Sequence, residues 1–542
     1  MIENRKEKKM AKKAKVSINP NFRIGNISKR IYGAFMEPIG SIVYGNMYNP
    51  KHPTADEQGF RKDWIEALKK TDVPAVRLPG GNFVSGWDWK DSIGPKENRK
   101  EHLDLAWHQY YPNDVGHDEY LQWAEKVGLE PMYTINLGTG GINDAIYNVE
   151  YTNHDDGTYW SELRKKNGHE KPYGVKVWYL GNEMDGPWQV ASWEKDPRGY
   201  GILANETSKA MKWVDGSIET AVCVSSSPDL SHFPDWDLQV LKECYNSVDY
   251  ISMHHYQSAE IGNYAQFMAA SRYYEDYIRT EIGLCDYVQA LMHSPKVMKL
   301  SLDEYGVMPL PKKELHFGRE RYVEPGTHYA FDPEREYVRH DPDNMPSRSF
   351  PPMDPMLMAL GNAGVIMEML RHADRVKIGC MTSGLGVAAG CDHDHVFTIP
   401  AYYPYADLMK YGHGISLQTA VECEKYDLES FALDDTHKYH EQDQVDFIDS
   451  AAAYDNETGE LTVFVINRDW EDSADFTLDI TGLTGMRFEG HTEMFTENRT
   501  PDEEADKNLA PTEAKDTVCN EMTVKAELKP LSWNVFRFVK EV

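Results

Sequence analysis

Residues 175–186 read Val-Lys-Val-Trp-Tyr-Leu-Gly-Asn-Glu-Met-Asp-Gly, and this stretch decides the fold. Its apolar run, 175–180, lies between two glycines, which is typical of a short buried strand, although a run this short also fits a core helix. Asn182 and Glu183 follow the second glycine, at the carboxyl end of the predicted strand. In a parallel barrel, catalytic side chains lie at that end of the strands.

A second stretch, 296–306, has the same design and reads Lys-Val-Met-Lys-Leu-Ser-Leu-Asp-Glu-Tyr-Gly. It places Glu304 at the end of another predicted strand. Glycoside hydrolysis uses such a pair of carboxyl groups: one protonates the leaving oxygen, and the other attacks or activates water. A single glutamate after a strand is commonly a solvated or helix-capping residue. The two glutamates therefore indicate glycoside hydrolysis only in combination with the other features of the chain.

Strand-like and helix-like segments alternate about eight times between residues 28 and 413, which predicts a closed (β/α)8 TIM barrel ringed by helices. The predicted strands occupy 31–40, 75–78, 131–137, 175–180, 219–225, 248–253, 296–304 and 376–381. The predicted helices occupy 61–70, 120–127, 203–214, 238–245, 264–293 and 357–372.

The remaining segments divide the chain further. Residues 1–15 are basic and predict a disordered extension, and 16–27 form a β-like lead-in. From 414 to 542, short alternating apolar runs separated by turn residues predict an antiparallel β-sandwich of the jelly-roll type. Residues 308–354 are rich in Pro, Arg, His and Asp, so we expect a long loop over the active face of the barrel.

Composition excludes several functional classes. The formal charge of −30 disfavours nucleic acid and anionic membranes as partners. No apolar run approaches the roughly 18 residues that span a bilayer, and no apolar segment follows the basic N-terminus as a secretory signal requires. Seven cysteines, an odd number, do not suggest a disulfide framework. We therefore expect a cytoplasmic protein.

Four sequence motifs, taken in combination, are specific enough to indicate a protein family. They read YGAFME at 32–37, RLPGGNF at 77–83, WYLGNEMDGPW at 178–188 and DEY at 303–305. In this order they resemble the α-L-arabinofuranosidases of glycoside hydrolase family 51. The resemblance extends over nearly the whole chain and includes LDLAW at 103–107, TINLGT at 134–139 and LRHADR at 370–375.

The resemblance implies a (β/α)8 barrel and a β-sandwich that takes up a strand from the N-terminal region, here 16–27. It also implies a retaining enzyme, with Glu183 as general acid/base and Glu304 as nucleophile. Residues expected to contact or orient around the sugar are Glu37, Asn82, Asn182, His254 and Tyr256. The residue types also fit other roles: Asn182 and Asn82 suit tight turns, Glu37 precedes a proline, and His254 suits a core position.

One position departs from the family pattern. Where the family places a Gln that reaches the sugar after the last barrel strand, this chain has the short Ser383. The resemblance implies terminal, non-reducing α-L-arabinofuranosyl groups of arabino-oligosaccharides as substrates. Because Ser383 differs from the family pattern, the sugar that is cleaved could also be another furanose, such as galactofuranose or D-arabinofuranose. An endo-glucanase or xylanase on the same scaffold and a catalytically silent carbohydrate-binding protein are the rival hypotheses.

We predict neither a cofactor nor a metal. The glycine-rich run 384–390 has the wrong spacing for a dinucleotide loop. The run 391–395, Cys-Asp-His-Asp-His, has a metal-like composition, but ligands in one extended run converge poorly on an ion. Arabinofuranose-containing oligosaccharides are the expected partners. The resemblance also implies a homo-oligomer, commonly a hexamer.

Overall fold

The computed structural model describes residues 12–313, 336–339, 353–382, 390–391, 396–434, 437–500 and 509–541. Its centre is a closed barrel of eight parallel strands that neighbour one another in chain order. The strands are β2 (Gly33–Phe35), β3 (Ala75–Leu78), β4 (Glu130–Thr134), β5 (Val177–Tyr179), β6 (Glu219–Cys223), β7 (Tyr250–Glu260), β8 (Lys299–Leu310) and β9 (Val376–Thr382). The predicted TIM barrel is confirmed.

Helices surround this barrel. They are α1 (Lys62–Lys69), α2 (His117–Val127), α3 (Ile142–Asn153), α4 (Tyr159–Lys166), α5 (Pro197–Val214), α6 (Asp235–Cys244), α7 (Tyr264–Met268), α8 (Ala270–Met292), α9 (Pro355–Arg371) and α10 (Tyr402–Tyr411). The helices α3, α4 and α10 were not predicted. Polar Asn148 and Thr152 take buried positions of α3, so its apolar stripe is too thin to read from the sequence.

Two strands are longer than the sequence indicated. β7 and β8 remain paired beyond the barrel, with Tyr256 opposite Gly306 and Glu260 opposite Leu310. The residues of this extension are almost all buried, so the backbone polar groups need partners, and strand pairing supplies them. His254 and Tyr256 consequently lie inside β7, whereas the sequence placed them at its end.

Beside the barrel lies a ten-stranded sheet that folds over itself into a sandwich. It contains β1 (Lys12–Asn26), β10 (Ile415–Glu422), β11 (Ile448–Asp455), β12 (Glu460–Asn467), β13 (Ala474–Asp479), β14 (Met486–Met494), β15 (Thr512–Glu513), β16 (Val518–Asn520), β17 (Thr523–Leu528) and β18 (Ser532–Lys540). Their order is β15-β14-β18-β12-β11-β10-β1-β13-β17-β16. The rings of Phe476 and Phe536, from distant strands, stack with centroids 5.5 Å apart and show that the two halves face each other.

The N-terminal strand begins earlier than the sequence indicated. β1 starts at Lys12, four residues inside the predicted extension, and pairs with β10 and, in parallel, with β13. Ala14 and Val16 are buried in the sandwich core, so this part of the segment has an apolar face despite its lysines. Residues 1–11 lie outside the described part of the chain.

Four small sheets complete the described part of the chain. A hairpin of His102–Asp104 and Gln109–Tyr111 pairs with Val338–Arg339, which belongs to the predicted 308–354 loop. Two-stranded pairs join Gly390–Cys391 to Val396–Phe397, Lys425–Leu428 to Gln442–Asp446, and Phe431–Ala432 to Lys438–Tyr439. Most of 308–354 is not described, so its expected position over the active face stays a prediction.

Candidate active site

The carboxyl end of the barrel brings together most of the residues that the sequence singled out. Glu37 follows β2, Asn82 opens a short helix after β3, and Asn182 and Glu183 follow β5. His254 and Tyr256 lie in β7, and Glu304 lies in β8. Ser383 comes directly after β9 and lies outside the described residues.

A tight turn presents Glu183 to the pocket. Gly181 has φ of 96°, and Glu183 itself has φ of 45°, a left-handed conformation that is uncommon for a residue with a side chain. Such strain is typically retained at functional sites. The carboxylate is nearly buried: Trp188 donates its indole N–H to Oε2 at 2.6 Å, and His254 Nδ1 lies 3.0 Å from Oε1.

Glu304 is held from two sides. Arg77 donates to Oε1 at 2.7 Å, and the Tyr256 hydroxyl donates to Oε2 at 2.8 Å. Burial raises the pKa of Glu304, and the positive charges of His254 and Arg77 oppose that rise only in part. A Cβ at Gly81 would lie 2.9 Å from Oε1, so only glycine lets the loop after β3 approach this closely.

The two carboxyl groups face one another across a single space. One oxygen of Glu183, one oxygen of Glu304 and one nitrogen of His254 all lie within 4.8 Å of each other. By distance alone, the three atoms could share a metal ion. The same closeness also suits direct hydrogen bonding, and His254 Nδ1 lies 3.0 Å from Oε1 of Glu183.

His254 is a buried cation between carboxylates. Burial would lower its pKa, but Glu304, Asp303 and Glu183 together raise the pKa of the imidazole to about 10. Its Nε2 lies 3.1 Å from Oδ2 of Asp303, and its Nδ1 faces Glu183. With both ring nitrogens protonated, His254 fixes the relative positions of the strands that carry the two glutamates.

Arg77 is the central residue that the sequence reasoning missed. The side chain is fully buried in β3, and its guanidinium lies 3.1 Å from Asp303, 2.7 Å from Glu304 and 2.6 Å from Asn182 Oδ1. It also lies over the rings of Phe35 and Tyr179, 4.9 Å from each centroid. An arginine inside an otherwise apolar strand was the available signal, since buried charges are nearly always paired.

Glu37 and Asn82 are two further predicted site residues at this end of the barrel. Glu37 Oε2 accepts from the Gly81 backbone N–H at 3.0 Å and from the Trp107 indole at 3.1 Å. Burial, together with the charge of Glu304, raises the pKa of Glu37 to about 8. Asn82 Oδ1 accepts from Asn182 at 2.9 Å and from Gln189.

Trp107, Trp188, Gln189 and Asp303 are further site residues that were not predicted. The first two and Asp303 stand inside the quoted motifs, but only the folded chain shows which of a motif's residues face the pocket. Asp185, beside Glu183, points elsewhere: its Oδ2 accepts from the Ser226 N–H and lies 2.8 Å from His232 Nε2. These contacts hold the turn after β5 in place.

Comparison with known proteins agrees with this geometry. Residues 67–279 match the family model "Alpha-L-arabinofuranosidase 1 domain", and 349–532 match "Alpha-L-arabinofuranosidase C-terminal domain". The intracellular exo-α-(1→5)-L-arabinofuranosidase 1 of Bacillus subtilis is 38% identical over 98% of this chain and 100% of its own length. The chain belongs to the α-L-arabinofuranosidases of glycoside hydrolase family 51.

Other members of the family support the assignment. An intracellular exo-α-(1→5)-L-arabinofuranosidase of Acetivibrio thermocellus is 37% identical over 98% of this chain and 100% of its own length. The solved structure of the family 51 enzyme AbfB from Bifidobacterium longum superposes with a TM-score of 0.82 at 28% identity, covering 98% of this chain and 100% of that one. The resemblance drawn from the sequence is confirmed, and the chain is a glycoside hydrolase.

Proposed function

We propose that this chain is a retaining exo-α-L-arabinofuranosidase in which Glu304 is the nucleophile and Glu183 is the general acid/base. The substrates are terminal, non-reducing α-L-arabinofuranosyl groups of arabino-oligosaccharides. Two full-length relatives are named as exo-α-(1→5)-L-arabinofuranosidases, which favours this furanose over galactofuranose and favours exo-action over an endo-glucanase or xylanase.

The separation of the two carboxyl groups is the observation that carries the proposal. An oxygen of Glu183 lies within 4.8 Å of an oxygen of Glu304. Retaining enzymes hold their carboxyl groups roughly 5–5.5 Å apart, whereas inverting enzymes leave about 6.5–9.5 Å for a water molecule. The spacing therefore supports direct attack of Glu304 on the anomeric carbon.

The reaction proceeds in two displacements. Glu183 gives its proton to the glycosidic oxygen while the Glu304 carboxylate attacks the anomeric carbon, so the leaving saccharide departs as an alcohol. Glu183 then takes a proton from water, which attacks the glycosyl ester and releases Glu304. Hydrogen bonds from Arg77 and Tyr256 hold the Glu304 carboxylate in position for the first displacement.

Three side chains recognise the sugar in this proposal. Asn182, next to Glu183, bonds the hydroxyl adjacent to the anomeric carbon, a contact that strengthens as positive charge develops there. Asn82 and Glu37 bond the remaining hydroxyls. With its pKa near 8, Glu37 is largely protonated at neutral pH and can donate as well as accept.

A cytoplasmic location and a homo-oligomeric assembly accompany the proposal. The relatives from Bacillus subtilis and Acetivibrio thermocellus are both named intracellular, which supports the location. No helix in the described part of the chain is both long enough and apolar enough to cross a bilayer. Size-exclusion chromatography with light scattering tests the predicted hexamer.

The acid/base assignment is tested with Glu183→Ala. Removing the proton donor should slow hydrolysis of an arabinofuranosyl disaccharide by about 10²–10⁴-fold. Cleavage of 2,4-dinitrophenyl α-L-arabinofuranoside should be affected far less, because that leaving group departs without protonation. Equal losses on both substrates would contradict the assignment.

The nucleophile assignment is tested with Glu304→Gln. The amide keeps the shape of the side chain but cannot form the glycosyl ester, so turnover should fall by more than about a thousandfold on every substrate. Rates close to wild type in a folded variant would exclude Glu304 as the nucleophile.

A further inference from the structure

We propose that Thr382 is a positioning residue for the nucleophile and acts through the hydroxyl group of Tyr256, an inference that rests on the proposed role of Glu304. Thr382 is the last residue of β9. Its Oγ1 lies 2.6 Å from the hydroxyl oxygen of Tyr256, which in turn lies 2.8 Å from Oε2 of Glu304. The three side chains therefore form one chain of hydrogen bonds that ends on the nucleophile.

The three side chains come from three neighbouring strands of the barrel. The strand β8, which carries Glu304, lies between β7, which carries Tyr256, and β9, which carries Thr382. The residue of β8 opposite Tyr256 is Gly306, and a Cβ there would lie 3.9 Å from Cδ1 of the tyrosine ring. The ring therefore packs against a strand position without a side chain, and its hydroxyl group reaches β9.

The direction of both hydrogen bonds follows once Glu304 is ionised for attack. A carboxylate can only accept hydrogen bonds, and a phenol has a single hydrogen. Burial and the charge of Glu304 raise the pKa of Tyr256, so the phenol keeps this hydrogen and donates it to Glu304. The Thr382 hydroxyl must then donate its own hydrogen to the phenol oxygen. A hydrogen bond accepted by that oxygen polarises the phenol and makes it a stronger donor to the nucleophile.

The other groups around Glu304 belong to positions that a change at Thr382 leaves intact. The titratable or charged groups that also face Glu304 are Glu37, Arg77, Glu183, His254 and Cys380. Because none of them is altered in a Thr382 variant, a change in the ionisation of Glu304 would report the loss of the Thr382 hydroxyl.

The test removes this hydroxyl with Thr382→Val and restores it with Thr382→Ser, and it follows hydrolysis of an aryl α-L-arabinofuranoside across a range of pH. We expect kcat/KM of Thr382→Val to fall about fivefold, the contribution of one hydrogen bond. The acidic limb of its pH profile should move up by about half a pH unit, because a carboxylate that receives a weaker hydrogen bond is protonated more readily. Thr382→Ala should show the same shift, and Thr382→Ser should match the wild type.

Two further variants show whether the effect passes through Tyr256. Tyr256→Phe already breaks the chain of hydrogen bonds, so adding Thr382→Val to it should move the acidic limb no further. The matched control is Thr419→Val, because Thr419 is a partly buried threonine in β10 of the sandwich whose hydroxyl donates to the Ser450 carbonyl oxygen. Its pH profile should match that of the wild type.

The outcomes separate this inference from the proposed function. An unmoved acidic limb in Thr382→Val and Thr382→Ala would overturn it even if activity fell, since a disturbed fold lowers activity without moving the limb. A shift that Thr382→Ser retains, or that appears in full in the Tyr256→Phe background, would overturn it as well. Failure of the wild-type enzyme to hydrolyse the arabinofuranoside would instead overturn the proposed function.

Discussion

Arg77 shows how one side chain organises the residues of the proposed active site. Its guanidinium contacts Asp303, Glu304 and Asn182, so β3, β5 and β8 are held in one arrangement. Burial alone would lower the pKa of Arg77, but the charges of Asp303 and Glu304 raise it, and the group stays a cation. The planar guanidinium carries five N–H donors in a fixed fork and so reaches three separated partners at once, whereas a lysine has its three donors on one nitrogen.

The Arg77→Met variant should therefore lose both stability and activity. It leaves Asp303 and Glu304 buried without their cation, and breaking a buried ion pair in this way costs about 3–5 kcal/mol. Urea unfolding measures the loss, and kcat/KM on an aryl arabinofuranoside measures the activity. A variant with unchanged stability would mean that Arg77 does not hold these carboxylates.

Glu37 predicts a pH dependence. Folding raises its pKa from 4.5 to about 8, so its contribution to stability is complete below pH 4.5 and is lost as the pH rises through 8. Above pH 8 the carboxyl also loses the proton that it can donate to the sugar. We expect kcat/KM to fall above about pH 8 in the wild type, and Glu37→Gln, which keeps a donor, should lose that limb. The same alkaline limb in both enzymes would contradict this role.

At the scale of secondary-structure elements, we expect the two ends of the barrel to have different roles. The amino-terminal end carries an ionic network: Arg30 donates to Glu130 of β4 at 2.9 Å and to Glu219 of β6 at 3.0 Å, and Lys299 of β8 donates to Glu219 at 2.6 Å. Residues at this end are expected to serve stability, and those at the carboxyl end are expected to serve catalysis.

The Arg30→Ala variant should separate these roles. Removing the bridging cation should lower the free energy of unfolding by about 1–2 kcal/mol, because the network is only partly exposed. kcat and KM at 25 °C should not change. The matched control is Arg198→Ala, in which a 71% exposed partner of Glu243 is lost and stability should change by less than about 0.5 kcal/mol. A change in kcat in Arg30→Ala would place this network in the catalytic machinery.

The elements also show what the sequence could reveal. The eight barrel strands were predictable because each is a short apolar run between turn residues, and β5 and β8 carry their glutamates in recognisable motifs. The extension of β7 and β8 was not, since residues 254–258 are mostly polar and owe their burial to partners far along the chain. Arg77 escaped notice for the same reason: its partners are 105 to 227 residues away.

On the scale of the whole molecule, the sandwich is part of the barrel's outer wall. Trp533 of β18 is fully buried, stacks on Phe464 with centroids 5.7 Å apart and donates to Asp407 of α10 at 2.9 Å. Arg371 at the end of α9 donates to Asp449 of β11 at 2.7 Å. Because α9 is apolar on nearly all sides, it needs cover from both the barrel and the sandwich.

The barrel and the sandwich should consequently unfold together. Trp533→Ala removes a large buried side chain at the interface and should cost about 3–5 kcal/mol, and calorimetry should show one transition shifted to lower temperature. The control is Trp213→Ala, because Trp213 is 83% exposed on α5. Two separate transitions in Trp533→Ala, with the barrel transition unmoved, would show that the layers are independent.

The most direct test of the central claim is the configuration of the first product. Proton NMR can follow methanolysis of an aryl α-L-arabinofuranoside, in which methanol replaces water in the second displacement. If Glu304 attacks the anomeric carbon from across the pocket within 4.8 Å of Glu183, the first product is methyl α-L-arabinofuranoside. A β-configured first product would mean a single displacement and would contradict the account.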